Sequence, residues 1–475
     1  MLKDMRFKII PLVVAILTAA VSAQSAVVDD ARRMISEGQY SKALPLLQKE
    51  LKSKPKDGVL NYLAAQCLMK MGDEKSALPM LRVAESRQVA DASVILAEKA
   101  FGEYRFDEVA AHVDAYRRAT AKSGKALPES LQSIQRRAQR AQSMLDRVER
   151  IVIIDSIAVN KDDFFKAYKL TSGAGALSPA STLPVASAAV GNSPVYRPES
   201  GACAYWAEKA DGKSTLMTSS VLTDGTWEEP VSLAENLNEG GDAAYPFLLP
   251  DGVTLYFANN GENSIGGYDI FVSRKDEGKF LNPQNLGMPY NSIYDDYLLV
   301  IDEFAGVGWW ATDRNRLGDK ITIYRFIPSE VRNNYEADED GIADRALARN
   351  YRATWPAGAD YSALLSEIEA LPGEDTAAAG SSRFRFAMPG GKVYTSLGDF
   401  ANADARAMMQ DYLEALADIE STKARLASLR RDYAAGNLLL ADEILRQEKN
   451  LEVKRLVVKD MANEIVRTEN QGAFN

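Results

Sequence analysis

The sequence predicts a multidomain α + β chain: an N-terminal α-solenoid, a central β-propeller and a C-terminal antiparallel helical hairpin of coiled-coil type. Three observations predict it. A helical pattern returns about every 34 residues between 27 and 122. A strand-turn-strand pattern returns about every 53 residues between 198 and 326. Two long amphipathic stretches follow Asp399 with one short break. Helical repeats of that length stack into solenoids, and strand repeats near 50 residues build propeller blades. A chain of 475 residues is too long for one core and suggests about three domains.

The N-terminus reads as an export signal over residues 1–23. Lys3, Arg6 and Lys8 form a positive segment, Ile9 to Val21 is apolar, and Val21-Ser22-Ala23 offers small residues for cleavage. The apolar run is too short to span a bilayer, and no cysteine follows it to carry a lipid. Cleavage would leave a mature chain with no transmembrane segment and a net charge near −12, against −10 for the whole chain. That acidity argues against nucleic acid as a partner. The two cysteines, Cys67 and Cys203, fall in different predicted domains and read as small buried hydrophobes.

Residues 24–150 read as helices. Gly38-Gln39-Tyr40-Ser41-Lys42-Ala43 matches Gly72-Asp73-Glu74-Lys75-Ser76-Ala77 at a spacing of 34, and Tyr104 to Val109 is a third copy. Leu44, Leu47, Leu51, Leu60, Leu63 and Leu68 supply an apolar stripe. These residues resemble the tetratricopeptide repeat, with about three units. The Gln/Arg-rich helix from Leu127 to Arg150 suits the cap that such an array needs.

Residues 151–398 read as the propeller. Ile151–Val159 is β-branched and strand-like, and 171–193 reads as a long loop. The clearest repeat runs from Asp242 to Arg274: a Pro250-Asp251-Gly252 turn, the strand Leu255-Tyr256-Phe257, then Gly266-Gly267-Tyr268-Asp269-Ile270. With Asp313-Arg314 in the next copy, these residues resemble TolB-type, WD-repeat-like propellers. The first copy has Pro198-Glu199-Ser200-Gly201 at the turn and the third has Phe304-Ala305-Gly306. Three blades do not close a ring, so strands from both sides are expected to complete it: Ile151–Val159 on one, Arg383–Phe386 with Lys392–Thr395 on the other. An acidic, then Ala/Gly/Ser-rich segment near 330–380 reads as a partly helical insertion and linker. Residues 399–475 read as the hairpin: Leu413, Leu416, Ile419, Leu426, Leu429 and Tyr433 mark one face, Leu440, Ile444, Leu445, Leu451, Leu456, Met461 and Ile465 continue on a second helix, and the short break at 434–437 makes the two antiparallel neighbours.

Chemistry is scarce. The one histidine, His112, lies in a helix among small apolar residues, which removes Ser-His triads and His-rich zinc sites. Asp338-Glu339-Asp340-Gly341 places Arg349 where a calcium loop needs its twelfth-position glutamate. Gly261–Gly267 precedes no helix and cannot cradle phosphate as a helix terminus does. Asp251 and Asp269 read as turn-fixing groups. No catalytic residue, cofactor or metal ligand is expected. Candidate partner-binding aromatics are Trp309, Trp310, Tyr40 and Tyr104. The two tryptophans are neighbours on a strand and face opposite sides, and core packing of both is the favoured reading.

Helical repeats ahead of a propeller resemble a group of bacterial envelope proteins that continue into an OmpA-type, peptidoglycan-binding domain. This chain has helices there instead. The resemblance implies a non-catalytic periplasmic scaffold associated with the outer membrane, serving secretion or surface assembly. Its partners would be other envelope proteins, with peptidoglycan or glycan contacted indirectly and self-association through 399–475. The alternative is a carbohydrate-binding or hydrolytic propeller protein.

Overall fold

The computed structural model describes residues 26–183, 185, 193–210, 212–222, 226–329, 331–371, 386–388, 392–394, 396–434 and 437–472. The expected export signal lies outside them. The chain divides into two compact units, Met1–Ser143 and Met144–Asn475.

The first unit is a two-layer stack of helices. They are α1 (26–36), α2 (Tyr40–Ser53), α3 (Gly58–Lys70), α4 (Glu74–Ser86), α5 (Ala90–Gly102), α6 (Phe106–Thr120) and α7 (Glu129–Leu145). Asp57 and Asp73 accept the backbone N–H of Leu60 and Ser76 and so start α3 and α4. The turns that end α1 and α3 use Gly38 and Gly72 at positive φ, a conformation glycine adopts without strain. In the third copy Tyr104 takes that position, at φ 61°. Ala43, Ala64, Ala65, Ala77 and Ala97 are fully buried, which lets the helices approach closely. The first four of these, together with Leu47, Leu60, Leu63 and Leu81, form the core of this unit.

The second unit holds three curled antiparallel sheets. The first joins β2 (Ala176–Ser178), β3 (Val195–Arg197), β4 (Cys203–Ala210), β5 (Lys213–Ser220) and β6 (Val231–Ser232) in that order. So part of the stretch read as a loop is a strand. The second sheet joins β7 (Ala243–Leu248), β8 (Thr254–Asn259) and β9 (Asp269–Asp276), with β10 (Lys279–Phe280) and β11 (Gln284–Asn285) both on β9. The third has β12 (Asp296–Asp302), β13 (Val307–Thr312) and β14 (Lys320–Ile327), and its fourth strand is β1 (Val152–Asn160). β1 pairs antiparallel with β14, Val152 opposite Ile327 and Asn160 opposite Lys320. One apolar core spans the sheets, with Tyr196, Phe247, Phe257, Leu298 and Trp309 in it.

The segment expected as insertion and linker is largely part of this body. It carries α8 (Ile342–Ala346) and α9 (Ser362–Glu369). Tyr361, Leu364 and Ile368 enter the central core. At the irregularity in β1, the Ile153 N–H donates to Thr354 and its carbonyl accepts from the Trp355 indole.

Of the second proposed closing element, 383–385 and Thr395 lie outside the described residues, and the described part goes elsewhere. Phe386–Met388 (β15) and Lys392–Tyr394 (β16) form their own two-stranded sheet. Phe386 and Tyr394 pack on Phe400 and Tyr412, in the core of the C-terminal helices. Among the described residues only the β1 side adds a strand to the three sheets, and the boundary expected at 398 moves ahead of β15. The helices are α10 (Ala403–Ala434) and α11 (Ala441–Gly472), 32 residues each and so about 48 Å long. Ile444, Leu451, Val458 and Ile465 are buried at a strict spacing of seven, and Ala405, Met409, Tyr412, Ile419 and Leu426 face them from α10. This is the seam of an antiparallel coiled coil.

Candidate functional interface

The repeat-signature residues Asp251, Gly252, Gly266, Gly267, Asp269, Asp313 and Arg314 hold turns and strands of the sheets. Asp251 accepts the N–H groups of Val253 and Thr254 and the Thr254 hydroxyl, closing the turn in which Gly252 has φ 69°. In the third copy Asp302 does the same from the strand end, accepting from the Phe304 and Ala305 N–H groups. That substitution explains why Phe304-Ala305-Gly306 needs no aspartate. A Cβ on Gly266 would lie 1.9 Å from the Tyr294 carbonyl oxygen, and one on Gly267 would lie 1.9 Å from Asp295. Asp269 accepts from Ile265 N–H, Gly266 N–H and the Asn285 amide. Burial pushes its carboxyl up to about 7, against the pull of those donors. Asp313 accepts the Asp295 N–H. Arg314 is buried, paired with Asp296 at 2.6 Å, and donates to the carbonyls of Pro289 and Tyr290.

A second set of residues, not singled out in the sequence, repeats at the same period. Asn238 accepts the Leu216 N–H and donates back to the Leu216 carbonyl. Asn291, 53 residues later, does the same with Ile270 at 2.7 and 2.9 Å. Asp242 accepts the Ser214 N–H, and Asp295, again 53 later, accepts the Tyr268 N–H. Each lies just ahead of one sheet and clasps a strand of the sheet before it. Their signal was the recurrence of Asn and Asp at fixed spacing ahead of β7 and β12.

The candidate aromatics do not assemble a surface. Trp309 and Trp310 do face opposite sides of β13, and both sides are interior. Trp309 meets Tyr168, while Trp310 meets Tyr290, Tyr324 and Phe326. Tyr104 is also buried, its ring 5.0 Å from Phe106. Tyr40 is half-buried at the start of α2, with its ring packed against the helical core. Trp309, Trp310 and Tyr104 are therefore corrected from partner-binding to packing residues. His112 is half-buried and hydrogen-bonded to Glu85 at 2.8 Å, which sets α4 beside α6. The groove there, about 340 Å³, is lined by Arg82, Glu85, Gln88, His112 and Arg118. Among the described residues, no group of three His, Cys, Asp or Glu is placed to hold a metal ion. Cys67 and Cys203 are free thiols.

The surface with the attributes of an interface lies on the odd-numbered helices of the first unit. On α3 the side chains left open are Val59, Tyr62, Gln66, Met69 and Lys70, a single helical stripe. Gln66 donates to the Tyr62 hydroxyl at 2.9 Å. Burial raises the Tyr62 pKa, the Asp91 charge on α5 adds to the rise, and Arg32 on α1 opposes it. Arg32, Tyr62 and Asp91, on three successive odd helices, are thus near enough for both charges to act on the Tyr62 hydroxyl, and all three are at least partly open. Asp91 also lies 3.9 Å from Lys125. Glu98 lies two helical turns beyond Asp91 on the same side of α5, whereas Lys99 turns away to Glu74 on α4. The result is a strip of mixed charge with aromatic, amide and apolar groups between.

Among the described residues, no helix is long and apolar enough to cross a membrane. No curated protein and no solved structure was found to match the chain. Residues 34–99, spanning the end of α1 to most of α5, match the tetratricopeptide repeat family.

Proposed function

We propose that this chain is a non-catalytic scaffold of the bacterial cell envelope. Its first residues direct export, and it works in the periplasm in association with the outer membrane, within a secretion or surface-assembly complex. In this reading the three curled sheets are blades of a TolB-type, WD-like propeller that serves as a rigid body. The tetratricopeptide face of α1, α3 and α5 docks a segment of another envelope protein. The observation that carries the reading is the continuous strip of Arg32, Tyr62, Gln66, Asp91 and Glu98. It offers donors, acceptors and both charges to a peptide laid across the helices.

The test is capture from envelope extract by the purified chain and by an Arg32→Glu/Tyr62→Ala/Asp91→Lys variant. These side chains are at least partly open, so the variant keeps its helical circular dichroism. It is expected to lose the captured envelope protein. Equal capture by both would overturn docking on this face, and a chain found wholly in the cytoplasmic fraction would overturn the envelope assignment. Binding to a glycan array without any protein partner would favour the carbohydrate-binding alternative.

A further inference from the structure

The C-terminal hairpin carries a second seam that its own partner helix does not use. On α11, Leu445, Val453, Leu456 and Val457 are half or more exposed, whereas α10 shows no large exposed apolar side chain among its described residues. Measured at 100° per residue, Asp442, Arg446, Lys449, Val453, Leu456, Asp460, Asn463 and Arg467 fall on the side of α11 opposite Leu451. Their spacing alternates four and three, the rhythm of a coiled-coil stripe. All are exposed except the half-buried Asn463. The stripe is therefore a heptad face with an apolar middle and charged ends.

The order of residues along it decides what can cover it. Read from the centre between 454 and 455, each position has a complement on the other side. Val453 answers Leu456, Lys449 answers Asp460, Arg446 answers Asn463, and Asp442 answers Arg467. A second copy laid antiparallel about that centre brings each residue against its complement. In a parallel arrangement the same stripe would set Lys449 on Lys449 and Asp460 on Asp460. Like charges at such a seam disfavour that alignment. Beside the stripe, Glu452 would meet Lys459 of the second copy. The two glutamates that would approach each other, Glu443 and Glu464, each lie near an arginine of their own chain.

We propose that the chain forms an antiparallel homodimer through the outer face of α11, making a four-helix bundle centred on Val453 and Leu456. This rests on the hairpin alone and is independent of the face on α1, α3 and α5.

The test is sedimentation of the purified full chain over a concentration series. The wild type is expected to sediment as a dimer. Val453→Glu/Leu456→Glu is expected to sediment as a monomer with unchanged helical circular dichroism and unchanged capture of the envelope partner. Lys449→Asp and Asp460→Lys each place like charges together, and each should weaken the dimer by roughly tenfold or more. Mixed with each other, the two single variants form a heterodimer in which both pairs are complementary, so the mixture should dimerise where neither does alone. A monomeric wild type overturns the proposal and leaves the stripe to a different partner. So does a dimer indifferent to Val453→Glu/Leu456→Glu, or a mixture that fails to recover.

Discussion

Asp269 shows how a residue that looks chemically interesting can be wholly structural. Its carboxyl titrates near 7 in the folded protein, against an ordinary value of 3.8, because burial disfavours the charge. Between those two values the folded state holds a proton that the unfolded chain has lost. This group's effect on stability is therefore a decline as pH rises from 3.8 to about 7. Urea unfolding across that range should show the decline in the wild type, and Asp269→Asn should flatten it. The same variant turns an amide toward a backbone N–H, so below pH 3.8, where the wild type has not begun to decline, it should be weaker by about 1–2 kcal/mol. An unchanged slope would mean that Asp269 does not carry the effect. Gly266 and Gly267 test close approach instead. Alanine at either should lower stability by roughly 1–3 kcal/mol, through overlap with Tyr294 or Asp295. Alanine at Gly252, which has open space around it but φ 69°, should cost less, about 1 kcal/mol.

At the scale of elements, β1 is the informative case. It precedes the three sheets in sequence by many residues, yet completes the last of them beside β14. Deleting residues 150–160 is expected to abolish cooperative melting of the sheets, as read by calorimetry. An unchanged transition would make β1 dispensable. Its role was legible because Ile151–Val159 is a β-branched run whose first residues, Ile151, Ile153 and Ile154, need a core to bury them. The role of β15 and β16 was not. A short alternating strand reads the same whichever core it serves, and the choice was made by Phe400 and Tyr412, which receive Phe386 and Tyr394. Trp309 and Trp310 were ambiguous for a related reason. Alternation along a strand gives opposite faces but does not say that both are covered. The strip on α1, α3 and α5 escaped notice because its residues are the ones the repeat pattern leaves unspecified. They are visible only after the core positions are subtracted. The hairpin was the most legible element, since a break between two heptad stretches leaves little else to form. Ile465→Ala, a fully buried seam position, should cost about 2–5 kcal/mol, read as a loss of helicity on heating.

At the scale of the molecule, the chain is two bodies, and the second holds both the sheets and the hairpin. The division falls near the end of α7. From Val148 onward the backbone is tied to the second body, with Tyr335 N–H donating to Val148, Glu149 N–H to Met288 and Arg150 N–H to Asn333. A fragment of residues 24–147 is therefore expected to fold alone and melt cooperatively, and calorimetry of the whole chain should resolve a transition matching it. A fragment that stays unfolded would show that the repeats depend on the rest of the chain.

The Asn and Asp clasps at the 53-residue period run in one direction along the chain. Asn238 and Asp242 secure β5, and Asn291 and Asp295 secure the loop and strand at Tyr268 and Ile270, so the first two sheets are each held by residues that leave the ribosome after them. β1 emerges before all of them and waits for β14. The third sheet consequently lacks one of its strand pairings until β14, the last of its strands, has been synthesised.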